Sequence, residues 1–496
     1  GHTASLGLCW MPEGTLPGFG AGMVIGQHGS WNRSTLSGYK LIFVPFENGA
    51  PSGPPRDILS GFLSEDEKLA YGRPVGVTLG PDGKSLLMAD DVGTTVRDMA
   101  LIREFFQRYD LDLGKARPGR HDDIMQQRHR ALEIGGRAVL FASRRRPAWL
   151  LGTGMLGAAK IIENMELGHN VMHGQWDWMN DPEVHSTSWE WDNTGPSAHW
   201  KQTHNYIHHK YTNVLGMDDD VGYGLLRVTR DQRWKPFNLG NPVYNLLLQL
   251  FFEYGVAAQH LELGKVAKGR IPREEFERKR REVLEKIGKQ IAKDYVMYPA
   301  LTGPAWKSTL TANIVANMIR NVWTNTVIFC GHFPDGAEKF TKADMEGETQ
   351  GQWYLRQMLG SANFEAGPVM EFMSGNLCYQ IEHHLFPDLP SNRLREIKVR
   401  VLELAEKYDL PYTTGSIGKQ YLLSWRTIAK LSLPNKYLRA TADDAPETAS
   451  ERKFAGGTAG FLTVDPETGK RRGLRTAIAE SKKKKGIRGL IAKRAA

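Results

Sequence analysis

Two patterns of hydrophobic and polar positions follow one another along the chain. From residue 1 to about 97, apolar residues come in short runs punctuated by Gly and Pro. Tyr39 to Phe46 is one such run, and the flanks of Pro81-Asp82-Gly83-Lys84 read as strand, turn, strand. This is β-propeller or β-sandwich patterning. From about Arg97 the chain turns to long charged, amphipathic segments, and Met99 to Arg108 and Arg270 to Lys293 predict helices. The change sets four expected regions: a β piece at 1–97, a helical linker at 98–135, a main helical domain at 136–436 and a basic, disordered tail at 437–496.

Pro147 to Ala159, Pro242 to Leu263 and Ser308 to Cys330 are the most apolar segments, but Lys160, Glu253 and Arg320 border or interrupt them. None offers the roughly eighteen unbroken apolar residues of a spanning helix. Hydropathy alone therefore fits buried core helices as well as membrane spans, provided that in the second case the charges face the bundle interior.

Composition changes this picture in three places. With 496 residues, 41% of them hydrophobic, two or three domains with a sizeable core are possible. The formal charge of +9 sits in the tail, where eleven Lys or Arg between Lys470 and Arg494 face a single acid, Glu480. The rest is close to neutral. No aromatics alternate with these bases, so the tail reads as a solvated end, or an arm meeting anionic lipid, and no nucleic-acid partner is expected. Cys9, Cys330 and Cys378 form no CxxC pair, which argues against a disulfide framework or a thiolate metal site and fits a reducing, cytoplasm-facing setting. Gly1 to Gly20 contains neither a start methionine nor a signal peptide, so the reading frame is expected to begin upstream.

The candidate chemistry lies in histidines. Four groups stand out: His169 and His173 in HNVMH; His204, His208 and His209 in HNYIHH; His332 in CGHFPDG; His383 and His384 in QIEHH. Residues four apart share a helix face, so His169 and His173 can aim at one centre. His208 and His209 lie about 100° apart on a helix, which lets one join His204 at a first metal and the other lean toward a second. Among 15 histidines a chance HxxxH is common, whereas HxxxHH is expected in only about one or two such chains in a hundred. Two adjacent ions suit the clusters. Imidazole takes iron, copper, zinc or nickel, but Asn170 stands where a zinc protease needs Glu. His185, His199 and His260 match no such spacing and read as ordinary core or surface residues.

Other positions have bland readings beside sharper ones. Trp176, Trp178, Trp189, Trp191 and Trp200 are read as packing residues, with an interfacial belt or acyl tunnel as the alternative. Asp218, Asp219 and Asp220 are read as a helix cap or solvated turn ahead of metal binding. Arg227, Arg230, Arg233 and Lys235 form either a solvated face or a site for coenzyme A phosphates.

The stretch from about Ala131 to Lys436 resembles the membrane fatty-acid desaturase family. KIIENMELGHNVMHGQWDWMNDPE (Lys160 to Glu183), HHKYTNVLGMDDDVGYG (His208 to Gly224) and SGNLCYQIEHHLFPDLPSNRL (Ser374 to Leu394) carry the resemblance, which looks closest to bacterial stearoyl-CoA Δ9-desaturases. It implies a mainly α, helical membrane bundle with a di-iron histidine site. Two non-haem irons and dioxygen as co-substrate follow from it. It also implies that His332 is the additional ligand before the third histidine box, and that Asn376 reaches an iron through water; capping of the following helix is the alternative for Asn376. The expected setting is the cytoplasmic membrane, with the active site facing the cytoplasm among membrane lipid. A long-chain acyl-CoA or acyl lipid would be substrate. No HPGG-type haem segment is present, so no fused cytochrome b5 is expected, and electrons would come from a separate NAD(P)H-dependent reductase. Gln380 replaces the usual leading His of the third box, a spelling shared with front-end desaturases of the linoleoyl-CoA Δ6 type. That activity, a hydroxylase on the same scaffold and a non-catalytic fusion product are the rival functions.

The first 97 residues resemble the C-terminal end of quinone-dependent sorbosone and aldose sugar dehydrogenases in GQHGSWNRS (Gly26 to Ser34), GYKLIFVPF (Gly38 to Phe46) and YGRPVGVTLGPDGKSLLMADD (Tyr71 to Asp91). A propeller needs at least four blades, and a piece this short supplies about two. The expectation is an incomplete β-propeller fragment without activity.

Overall fold

The computed structural model describes residues 4–29, 37–63, 74–79, 85–90, 120–179, 181–266 and 269–438, with 463–464, 471–472 and 475. The predicted helix at Met99 to Arg108, the side chain of Trp178 and nearly all of the basic tail lie outside them. The chain divides into two compact units, one comprising Gly1–Asp110 and Gly347–Tyr354, the other Leu111–Glu346 and Leu355–Ala496.

In the first unit, β1 (Ala4–Met11), β2 (Gly22–Gly29) and β3 (Lys40–Glu47) are antiparallel neighbours, with Val24 opposite Phe43 and Cys9. β4 (Ala50–Pro51) and β5 (Arg56–Leu59) both pair with β3. β6 (Pro74–Leu79) and β7 (Leu86–Asp90) form the hairpin expected around Pro81 to Lys84. Met11, Val24, Leu41, Phe43 and Val77 make a small core. The described strands are an open five-stranded sheet plus a hairpin, not a closed propeller. Too few strands are present to close a ring, so what remains of the propeller expectation is a partial sheet.

The second unit is helical. Helix α1 (Arg120–Leu140) packs on α2 (Arg146–Ile162), which begins with Pro147 at a position where its missing N–H costs nothing. The two backbones touch through glycines. A Cβ on Gly152 would lie 3.1 Å from the Gly136 carbonyl, and one on Gly136 would lie 3.2 Å from the Gly152 carbonyl. Then follow α3 (Asn241–Leu250), α4 (Phe252–Gln259), α5 (Arg273–Ile291), α6 (Trp306–His332), α7 (Gln380–Leu385), α8 (Leu394–Lys407) and α9 (Ile417–Lys430). α6, about 40 Å long at 1.5 Å per residue, is the central strut and contacts α2, α3, α4 and α9.

The interior of this unit is polar, and that explains the interrupted apolar segments. Asn313, Asn317, Arg320, Asn321, Thr324 and Asn325 are all buried on α6. The interrupting charges point inward and pair: Lys160 Nζ lies 2.7 Å from Asp294, and Arg320 lies 2.6 Å from Glu253. A buried charge without such a partner would be strongly destabilising. Among the described residues no helix is long and apolar enough to cross a membrane.

Arg227 corrects one expectation. It is only 1% exposed, and its guanidinium donates to the carbonyls of Gln232, Leu431 and Leu433 at 2.9 to 3.0 Å. It ties the 225–235 loop to the end of α9 and is not available to a phosphate. Arg233 and Lys235 are exposed.

Because the helical unit has its own core, a chain starting at residue 98 is expected to keep the far-ultraviolet circular dichroism of a helical protein and a cooperative melt. Loss of that transition in the shortened chain would contradict this division.

Candidate metal centre

The local backbone brings the first two histidine groups together. α2 runs on through a π-helical turn, Glu163–His169, and a second such turn spans Lys201–His208. Wider turns of this kind shift the helical register and recur at functional sites. The His173 N–H then donates to the His169 carbonyl at 3.1 Å, so these two residues sit one turn apart with ring centres 4.5 Å apart. His204 and His208 stack at 4.9 Å. The last turn of α6 supplies His332, and α7 supplies His383 and His384.

All eight predicted histidines converge. One ring nitrogen each from His169, His173, His204 and His383 falls within 4.8 Å of the others, and His208, His332 and His384 form a second such group. His209 stands between them, its ring 4.7 Å from His173, 4.8 Å from His383 and 4.5 Å from His384. Within each of the two groups the candidate ligand atoms lie within 4.8 Å of one another, an arrangement that could hold two adjacent ions.

For four of the rings, neighbouring groups fix which nitrogen faces the centre. His208 Nδ1 donates to Asp218 at 2.9 Å, His204 Nδ1 to Asp220 at 3.1 Å, and His169 Nδ1 to the Asn170 side-chain oxygen at 3.0 Å. His384 Nδ1 lies 3.1 Å from the Thr212 hydroxyl and 3.3 Å from the Gln357 oxygen. With the proton held on Nδ1, the Nε2 lone pair is left for a metal. The structure carries the matching sign: Nε2 of His173, His204, His208, His209 and His383 is buried without a hydrogen-bond partner. Buried polar atoms are rarely left so. Neutral imidazoles that leave lone pairs unused fit transition metal ions.

Burial also keeps all but one of the rings uncharged. It pushes His169 down to about 3 and holds His173, His209, His332, His383 and His384 well below the usual imidazole range, with neighbouring histidines adding to the effect. His208 goes the other way, to about 9, because the Asp218 and Asp220 carboxylates outweigh its burial.

Asp218 and Asp220 are what the sequence reading missed. Read as a cap or solvated turn, they are instead largely buried partners of histidines, and only Asp219 keeps a partly exposed ion pair, with Lys265 at 2.6 Å. Their sequence signal was an acidic triplet ten residues beyond a histidine box, too common a feature to single out. Asn376 has left-handed backbone (φ 59°) and makes no side-chain cap to the helix that follows; its amide nitrogen donates to Ser391 Oγ at 3.2 Å, the hydroxyl that also accepts from Asn170 at 3.0 Å. Gln380 places its amide nitrogen 3.1 Å from His332 Nε2. His185 and His199 stand apart, on Thr187 and Glu282. His260 is buried and lines, with Trp191 and Trp200, a cavity that opens beside His169, His204 and His332.

Asp218→Asn, which keeps shape but removes the charge, is expected to weaken metal binding by about ten- to a hundredfold, read as metal per chain after dialysis against a graded chelator. Asp219→Asn is expected to bind as the parent does. Gly375→Ala is expected to lose about 1–3 kcal/mol in denaturant unfolding, because Gly375 has φ +60° and its Cβ would strike the Met165 carbonyl next to the first box.

Residues 147–416 match the family model described as fatty acid desaturase. The "NADPH-dependent stearoyl-CoA 9-desaturase" of Mycobacterium tuberculosis (strain ATCC 25618 / H37Rv) is 68% identical over 354 residues, 71% of this chain and 83% of that protein. The "sn-1 linoleoyl-lipid 6-desaturase" of Synechocystis sp. (strain ATCC 27184 / PCC 6803 / Kazusa) is 26% identical over 286 residues, 55% of this chain and 77% of its own. With more than half of its length matched by the family model and a histidine centre to go with it, the chain belongs to the fatty acid desaturase family.

Proposed function

We propose that this oxidoreductase inserts a cis double bond at Δ9 of stearoyl-CoA, using dioxygen and electrons that a separate reductase draws from NAD(P)H. The observation that carries the reading is the convergence of eight imidazoles, seven of them in two groups of possible metal ligands with His209 between, beside a cavity walled by apolar side chains. Two non-haem irons held there by His169, His173, His204, His208, His209, His332, His383 and His384 would supply activation of dioxygen for removing hydrogen from an unactivated C–H bond. Asn376, its amide nitrogen taken up by Ser391, keeps its side-chain oxygen for a water-mediated contact with an iron.

The protein's own part is placement and exclusion. Trp191, Trp200 and Phe333, all buried, wall the cavity with apolar surface, so a chain held there meets the metal ligands in a low-dielectric space. Which carbons react depends on how far the chain slides, where an error of about 1 Å matters. The Δ9 position is supported by the extent of the match to the mycobacterial protein. Gln380 favours the second reading, insertion between an existing double bond and the carboxyl end, which the Synechocystis relative's name describes; one residue beside His332 weighs less than 354 aligned residues.

The setting proposed is the cytoplasmic membrane, with the histidine centre toward the cytoplasm. Support comes from apolar side chains left exposed on α2 and α3, among them Leu150, Leu151, Val243, Leu246 and Leu247, while the charges that border or interrupt the apolar segments, Lys160, Glu253 and Arg320, turn inward.

Elemental analysis of freshly purified, active protein is expected to give two irons per chain, and stoichiometric zinc instead would sink the assignment. His169→Ala, His208→Ala and His384→Ala are each expected to abolish desaturation, while His185→Ala retains it. In a desaturase-deficient host fed stearate or linoleate, gas chromatography is expected to show new oleate from the first. A new double bond appearing only with linoleate would replace the Δ9 reading with the second.

A further inference from the structure

We propose that Arg320 and Glu253 form the floor of the acyl cavity and set the longest chain the enzyme accepts. The inference rests on the acyl-substrate reading above and adds a specificity-determining pair to it. His332, Ile328, Thr324 and Arg320 stand four residues apart on α6, and all four line the cavity beside the histidine centre. Residues at this spacing share one helix face, so the cavity follows a single stripe for twelve residues, about 18 Å from the Cα of His332 to that of Arg320. Along the way Phe252 and Val256 of α4 supply apolar wall.

The stripe ends on charge. Arg320 is 1% exposed and Glu253 4%, their closest atoms lie 2.6 Å apart, and both line the same cavity. The guanidinium also donates to the side-chain oxygens of Asn321 at 3.1 Å and Asn317 at 3.2 Å, and to the Asp192 carbonyl at 3.4 Å. The Asn321 amide in turn reaches Glu253 at 3.5 Å. Such a pair is held on several sides and does not swing away. A methyl terminus offers no hydrogen bond, so a chain long enough to push into the pair would have to strip these charges of their partners, which is far costlier than burying another methylene. With the reacting carbons fixed at the metal centre, carbons beyond the floor have no place. One turn nearer the centre, Thr324 is buried and its hydroxyl has no hydrogen-bond partner, so that turn of the stripe has no tie to lose when its side chain is changed.

Two substitutions should move the limit in opposite directions. The test is conversion of an equimolar mixture of palmitoyl-, stearoyl- and arachidoyl-CoA by full-length enzyme with its reductase, with iron content and melting temperature measured on the same samples. Glu253→Ala combined with Arg320→Ala deepens the cavity and is expected to raise the arachidoyl-to-stearoyl product ratio by about tenfold or more. Thr324→Leu shortens it and is expected to lower the stearoyl-to-palmitoyl ratio by a similar factor. A merely structural role for the pair would change yield and melting temperature but leave both ratios alone. If the double variant fails to fold, the Thr324→Leu ratio decides. Unchanged ratios in variants that load iron as the parent does would overturn the floor, whereas a parent enzyme that converts none of the three would overturn the acyl reading and the floor together.

Discussion

The helical unit is organised around a requirement that folding alone would resist: eight imidazoles gathered together, six of them with a buried ring nitrogen left unbonded. Each such nitrogen gives up hydration and gets no protein partner in return, a cost of about 1–3 kcal/mol apiece. The surroundings offset this by holding the other side of the rings. Asp218, Asp220, Asn170, Thr212 and Gln357 engage the Nδ1 atoms of His208, His204, His169 and His384, which sets the tautomer and orientation of those four rings. A bound metal ion would supply what the open nitrogens lack.

Delivering histidines from four parts of the chain to one place dictates the rest of the bundle. α2 and α6 must each bring a C-terminal end to the centre, and the two pack closely along their length. Glycine at 136 and 152 lets α1 lie against α2, and Ser391 couples the first box, through Asn170, to the turn that leads into the third, through Asn376. Gly375 presses on the Met165 backbone at the same junction, where no side chain would fit.

The same architecture accounts for polar helices in a protein of lipid chemistry. α6 buries four asparagines and an arginine because they serve one another, Asp294, Glu253 and the cavity, and not because the helix faces water. The segments that hydropathy left ambiguous are thus apolar on the outside and charged within. A sliding average over such a helix cancels the two faces against each other.

The sequence by itself marked the candidate ligands of the first two boxes, because HNVMH and HNYIHH are local: backbone geometry puts residues four apart on one face whatever the rest of the chain does. It also marked the change from β to helical style, the β6–β7 hairpin and the helix over Arg273–Ile291, all written in short-range periodicity. Resemblance, and not spacing, pointed to His332, which lies 48 residues before the third box. Only the tertiary structure decided the roles of Asp218 and Asp220, of the inward-turned Lys160 and Arg320, and of Arg227, which the sequence offered to a phosphate and the fold spends on backbone carbonyls. In each of these the partner is distant in sequence or hidden in an irregular loop. A charged side chain looks the same in a sequence whether it faces water, a ligand or a buried acceptor, and what separates these is desolvation, which exists only once the chain is packed.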